Sequence, residues 1–385
     1  MSVLIVTLPG DVHSHAVRWA IEQMGGSARL FYPADLCNGG KWAFDPLISR
    51  LSVEYDTRRD DVAFDEYRTV WMRRPPVVLA QERIADKEER AISEDDFGTL
   101  ARSMYLLMER GRFVVSPHEN IRSSGLKPYQ FGVAREVGLR LPRTLIGNDP
   151  RAVLEFYNAC DGNIVFKAFK SPIWQTERGP RMVPTTRVSR EMLESCDLSV
   201  APGIFQEDVR KCAEIRATIM GRSVFAWEKR FDGREDLDVD WRFMFKNAKH
   251  SICRLPPEIE AMCFDLLDRL GLVFGCFDFV VDAEGRYFFL EVNPQGQWLA
   301  GDAINEGLNQ LEAMAEFLLS EDPHFKSSRQ GRIRWSDYPK GLLEQTMRRE
   351  EKDHHGHLMT FMYHQASFRM ETATGPGPGC EMGLG

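Results

Sequence analysis

Two acidic residues interrupt runs that are otherwise apolar, Asp278 in CFDFVV and Glu291 in YFFLEVN, with DAEG between the runs at 282–285. The pattern predicts a β-hairpin. An even loop centred between Glu284 and Gly285 sets Asp278 directly opposite Glu291, and Cys276 opposite Asn293. Opposed residues share a sheet face, and Asn293 shares it with Glu291 two positions away. Three oxygen donors then converge, a set suited to a hard cation such as Mg2+. A solvated acidic sheet face is the plain alternative. The apolar flanks weigh against it, because a carboxylate drawn into a buried strand needs a counter-charge or a metal.

Other side chains invite chemistry less directly. Lys167 lies inside the strand-like IVFKAF, where an unpaired ammonium would be costly to bury. Glu214 and Arg216, two apart in EIRATIM, face one side of their strand. Lys127 alone reads as an ordinary surface lysine. Arg73-Arg74 read as the surface end of a strand, with substrate contact as the alternative. His354, His355, His357 and His364 lie in a polar stretch and make a weak metal site, since such sites need ordered ligands and supporting contacts. His13 and His15, beside the first strand–helix turn, have no assigned role.

The elements that must position these groups fall into segments. At 385 residues the chain is too long for one simple core. Residues 1–115 alternate strand and helix and predict a small parallel α/β lobe. Residues 116–200 carry helices at Lys127–Val137 and Arg151–Asn158 between strands at Thr144–Ile146 and Ile164–Ala168, then an irregular stretch up to Pro184. Residues 201–325 hold a strand at Ile204–Val209, a hairpin about Gly221-Arg222, a helix from Pro257 to Leu270 and the acidic hairpin. The 326–385 extension loosens towards GPGPG and is expected to be partly disordered, with a helix expected at Leu342–Arg349.

Bulk properties limit the partners. A net charge of -8 argues against a nonspecific nucleic-acid binder. No stretch approaches the roughly 20 apolar residues of a membrane helix. The eight cysteines are scattered without a CxxC pair. Free thiols in a reducing cytoplasm are the expectation.

Taken in chain order, these residues resemble the ATP-grasp ligases. FFLEVNPQGQWL, with Asp278 upstream, is similar to that family's magnesium-binding end. The resemblance implies an α/β fold, α+β in the C-terminal lobe, preceded by a Rossmann-like pre-ATP-grasp domain. It assigns Lys127 and Lys167 to the ATP phosphates, Arg242 of VDWRF to the phosphates, Glu214 to the ribose, and Glu207, Asp208 and Val209 to the adenine through the backbone. Asp278, Glu291 and Asn293 then hold Mg2+, two ions by the family's pattern with Mn2+ as an alternative, and Arg216 joins Arg242 as a catalytic cation. The sequence departs from the pattern in two places. Glu214 stands where Asp is usual, and SPIWQTERGPRM replaces a glycine-rich loop; Lys170 is also near enough to substitute for Lys167.

NPQGQW, WMRRP at 71–75 and DWR at 240–242 narrow the resemblance to the microviridin-type peptide maturases. This implies a ribosomal precursor peptide as partner, a leader plus an acidic and hydroxyl-rich core, cross-linked through ω-esters or ω-amides. A homodimer is left open. Two other readings share the nucleotide site: a ligase joining amino acids or adding glutamate to a protein terminus, and a nucleotide-binding module that has lost catalysis.

Overall fold

The first lobe grows from short β-branched runs and a glycine-stopped helix. β1 (Ser2–Val6), α1 (Val12–Gln23) and β2 (Ser27–Phe31) form the expected strand–helix–strand unit, with Gly25 at φ +77° just past the helix end. A computed structural model describes residues 1–37, 41–54, 59–76, 84–169, 173–176, 179–230, 249–328 and 330–353. Three further strands, β3 (Lys41–Asp45), β4 (Arg50–Glu54) and β5 (Arg59–Ala63), make an antiparallel meander. β6 (Thr69–Met72), α2 (Lys87–Glu109) and β7 (Phe113–Val115) complete a four-stranded parallel sheet ordered β2-β1-β6-β7.

Strands of a parallel sheet covered on both faces are apolar throughout, and Val3 to Val6 are all buried. Leu4 and Val6 share a core with Met104 and Tyr105 of α2 and with Val53 and Val62 of the meander. Val3 and Ile5 share theirs with Ala16 and Val17 of α1 and with Leu311 and Phe317, which come from much later in the chain.

The middle segment contains α3 (His118–Ser124), α4 (Lys127–Glu136), β8 (Thr144–Gly147), α5 (Pro150–Ala159) and β9 (Ile164–Lys167). The stretch expected to be irregular holds a hairpin of β10 (Ile173–Thr176) and β11 (Gly179–Met182). β12 (Thr186–Arg187), α6 (Arg190–Ser195) and β13 (Gly203–Glu207) follow, giving an antiparallel sheet ordered β12-β9-β13-β8.

The last segment is a five-stranded antiparallel sheet ordered β16-β15-β14-β17-β18. Its strands are β14 (Lys211–Met220), β15 (Ser223–Arg230), β16 (Lys249–Cys253), β17 (Phe274–Asp282) and β18 (Tyr287–Asn293). Between β16 and β17 runs α7 (Pro257–Leu270), closed by Gly271 in the left-handed conformation at φ +65°. Ile215, Ala217, Phe277, Phe279, Phe289 and Val292 share a core with Leu266 and Leu267 of α7. The alternate residues of the sheet are thereby turned to the other face. α8 (Leu299–Ile304), α9 (Gln310–Ser320) and α10 (Lys340–Asp353) complete the described chain. The histidines at 354, 355, 357 and 364, and the rest of the 326–385 extension after Asp353, lie outside the described residues.

The acidic hairpin differs from expectation in one respect. Its loop is odd: Val281 faces Tyr287, leaving residues 282–286 between them. The Asp282 carboxylate closes this turn by accepting from the N–H groups of Glu284 at 3.1 Å and Arg286 at 2.8 Å. Continued regularly, that register would turn Glu291 into the core. An extra residue, Leu290, bulges between the Phe279–Phe289 and Asp278–Glu291 pairs, and the opposition of Asp278 and Glu291 is recovered.

Candidate active site

Across three neighbouring strands Arg216, Asp278 and Glu291 stand in one row. Arg216 Nη1 donates to Asp278 Oδ1 at 2.6 Å, and its Nη2 donates to the Gln297 carbonyl at 3.2 Å. Glu291 is met from a different segment: Lys127, the first residue of α4, places Nζ 2.6 Å from Oε2. Asn293 ends β18 opposite Cys276, and its Oδ1 accepts from the Gln295 N–H at 2.9 Å. Lys167, at the end of β9, donates to Gln206 Oε1 at 2.6 Å across the β9–β13 pair.

These neighbours pull the titrations apart. Burial pushes the Glu291 carboxyl up, but Lys127, Lys167 and Arg216 outweigh it and hold it below the ordinary range. Burial raises Asp278, with Glu291 opposite adding to the rise and Arg216 working against it. Burial opposes the Arg216 charge, and the Asp278 carboxylate more than offsets this, so the guanidinium stays firmly protonated. Lys167 is lowered to about 8, mainly by burial, with the Lys127 charge adding to it. Separated titrations of this kind mark sites built for charge chemistry more often than ordinary surface pairs.

The other residues singled out in the sequence fall around this row. Glu214 faces the same way as Arg216 and is bracketed by Lys211 at 2.5 Å and Lys229 at 3.7 Å. Past the end of β13, the Asp208 N–H donates to the Asn163 carbonyl at 2.9 Å, and its carboxylate takes Arg187 at 2.8 Å. Glu207 Oε2 accepts from the Arg143 N–H at 3.2 Å, and the Val209 N–H donates to the Glu207 carbonyl at 3.1 Å. Arg242, with the DWR motif, and Lys170 lie outside the described residues.

Several participants escaped the sequence reading. Gln206, fully buried, also donates from Nε2 to Thr144 Oγ1 at 3.0 Å and so presents its oxygen to Lys167. Lys229 could have been found from the hairpin register, which puts it directly opposite Glu214; Lys211 could not, because the register shifts between Lys211 and Ala213. Arg73 was expected at the surface; it is wholly buried, with Nε 3.2 Å from Asp11 Oδ2. Its Nη1 donates to the carbonyls of Gln295 at 2.5 Å and Gly296 at 3.0 Å. Arg74 shares the Asp11 carboxylate at 3.1 Å. The signal for this cluster is that β1 and β6 run parallel and adjacent, so Asp11 and Arg73 leave the same sheet edge.

Oxygen donors suit a hard cation, and the donor set offers two carboxylates and an amide. No group of three or more His, Cys, Asp or Glu side chains able to hold a metal occurs among the described residues. Gly296 shows how tightly the loop after Asn293 is seated. A Cβ there would come within 2.5 Å of Cys276 Cβ and 3.0 Å of Arg216 Nη2.

No family model and no curated protein matches the chain. Solved structures do. The chain is 26% identical to macrocyclase MdnC from Microcystis aeruginosa MRC, solved bound with the precursor peptide MdnA. The TM-score is 0.71, covering 83% of this chain and 100% of that one. It is 23% identical to a RiPP-associated ATP-grasp ligase of Chryseobacterium gregarium in complex with ADP and a leader and core peptide, with a TM-score of 0.70 and coverage of 84% and 97%. The ATP-grasp ligase PsnB, solved with a minimal precursor, Mg and ADP, matches at 20% identity and TM-score 0.65, covering 83% and 96%. The fold is that of the ATP-grasp ligases. Within that fold the structural match falls on microviridin-type peptide macrocyclases, the family that the sequence resembles. No helix among the described residues is long and apolar enough to cross a membrane.

Proposed function

We propose that this chain is an ATP-dependent ligase that activates Asp or Glu side-chain carboxylates of a precursor peptide and joins them to hydroxyls or amines as ω-esters or ω-amides. The observation that carries the reading is the Arg216–Asp278–Glu291 row faced by Lys127, with Lys167 nearby. A carboxylate repels nucleophiles. Its oxygen attacks the γ-phosphorus of ATP, the bond to ADP breaks, and a mixed anhydride forms. The nucleophile then attacks the acyl carbon and phosphate leaves, so each bond formed consumes one ATP and removes one water from the peptide.

Such chemistry asks the protein for positioning and for charge neutralisation. Lys127 and Lys167 supply cations for the phosphates, and Arg216 holds Asp278 in place for the metal. Glu214, between two lysines, is suited to the ribose hydroxyls, and the 207–209 backbone to the adenine. Asp278, Glu291 and Asn293 would hold Mg2+, which when bound neutralises phosphate charge. Arg242 keeps its assigned phosphate role. The lobes are taken as 1–115, 116–200 and 201–325, followed by the extension.

The test is incubation with ATP, Mg2+ and an acidic, hydroxyl-rich candidate peptide. ADP release matched to stepwise loss of water from the peptide supports the reading. ADP release with free amino acids or a protein C-terminus, and none with the peptide, would move the chain to the other ligase class.

A further inference from the structure

The segment that follows the metal strand is gripped from two sides. Arg216, from the C-terminal sheet, takes the carbonyl of Gln297. The first lobe takes the rest. Arg73 holds the carbonyls of Gln295 and Gly296, and His13 Nε2 accepts from the N–H groups of Trp298 at 3.1 Å and Leu299 at 3.3 Å. Five successive residues are therefore pinned by three side chains. Accepting two N–H groups at Nε2 requires that nitrogen to be unprotonated, and the ring also meets Trp298 edge to face at 5.2 Å.

One carboxylate organises the two grips from the first lobe. Asp11 caps α1 by accepting from the N–H groups of His13 at 2.9 Å and Ser14 at 3.3 Å, and it is the anion for both Arg73 and Arg74. A wholly buried guanidinium is expensive unless paired and hydrogen-bonded. Arg73 turns its Nε towards the Asp11 carboxylate and donates from Nη1 to both carbonyls, a division between two nitrogens that lysine, with one, cannot reproduce. The Gln295 residue whose carbonyl it holds is also the residue whose N–H orients Asn293. A continuous chain of contacts thus runs Asp11–Arg73–Gln295–Asn293, from the first lobe to a residue of the metal set.

We propose that Arg73 and His13 are positioning residues for the magnesium-binding end of the site, holding the 295–299 segment so that the Asn293 carboxamide keeps one orientation. The inference rests on the reading of Asp278, Glu291 and Asn293 as the metal set. It makes the first lobe a working part of the metal site, although none of its residues belongs to the donor set.

Binding of ADP to the full-length protein, titrated against Mg2+, tests this without needing a substrate peptide. Arg73→Lys keeps a charge for Asp11 and loses the second nitrogen that holds the two carbonyls; His13→Phe keeps a ring against Trp298 and loses the acceptor. Each variant is first checked by thermal unfolding, and either one that folds suffices. The Mg2+ concentration for half-maximal binding should rise about tenfold or more, as for lost ligand-orienting contacts elsewhere, while metal-free ADP binding stays within about twofold. An unchanged Mg2+ requirement in a folded variant overturns the inference. So does an equal loss of metal-free and metal-dependent binding, which would mark a general loosening. Wild-type protein whose ADP binding ignores Mg2+ overturns the functional reading, and this inference with it.

Discussion

Glu291 is ionised at neutral pH, because Lys127 and its cationic neighbours hold it below the ordinary carboxylate range. Glu291→Gln keeps the shape and removes that charge. ADP release with a substrate peptide should fall by about 100-fold or more, since losing a ligand should cost at least the upper end of what losing a ligand-orienting contact costs, while the thermal midpoint hardly moves. Wild-type rates in this variant would remove Glu291 from the metal set.

Lys167 makes a separate prediction through pH. Its pKa of about 8 lies below the ordinary 10.5. Between the two values the folded protein holds fewer protons than the unfolded chain, so this residue's contribution to stability rises as pH climbs from about 8. Phosphate binding runs the other way, since it needs the ammonium. Nucleotide affinity should therefore fall as pH rises above 8, and Lys167→Met should flatten that slope in a binding titration. A slope that survives the substitution would place the titrating group elsewhere.

Among the elements, the acidic hairpin and the 294–299 segment carry most of the site. The opposition of Asp278 and Glu291 was reached through an even loop that the structure does not have; what was legible is that both acids interrupt apolar runs. The parity of the loop was not, because Asp282 closes the turn with its own side chain and Leu290 restores the register, and neither effect leaves a trace in alternation. Lys167 was legible from its strand. Lys127 was legible only through the family resemblance, since the first turn of a helix, at the positive end of its dipole, is a poor place for a cation. Arg73 was misread because Arg-Arg-Pro after a strand looks like an exit to solvent; its partner Asp11 is brought near only by the β1–β6 pairing.

The seated loop predicts a stability effect. Gly296→Ala drives a methyl into Cys276 and Arg216. Overpacking of this kind costs about 1–3 kcal/mol. Thermal unfolding should show a drop of several degrees, together with weaker Mg2+-dependent nucleotide binding. An unchanged midpoint would mean that the segment has room to move.

For the whole molecule, residues far apart in sequence are packed into common cores. α9 carries Leu311 and Phe317 into the core of the first sheet, and Thr69 Oγ1 donates to the Leu318 carbonyl at 2.9 Å. α10 closes the opposite end. Glu350 accepts from the Gly10 N–H at 2.6 Å and pairs with His15 Nε2 at 2.9 Å, and it also bonds the Tyr32 hydroxyl. Truncation before Thr372 should leave ATP binding and thermal stability nearly unchanged. Truncation before Lys340 should lower the thermal midpoint clearly, because it strips an acceptor from three buried or half-buried groups, each loss worth about 1–3 kcal/mol. Activity lost on the shorter cut with ATP binding intact would give residues 372–385 a part in substrate capture.

The Glu350 contact also bears on how the protein is made. Gly10 leaves the ribosome 340 residues before the carboxylate that completes its turn. The Val3 and Ile5 face of the first sheet waits nearly as long for α9. A nascent chain therefore carries an unfinished, partly apolar first lobe until α9 and α10 have been made, a period in which chaperone binding competes with aggregation.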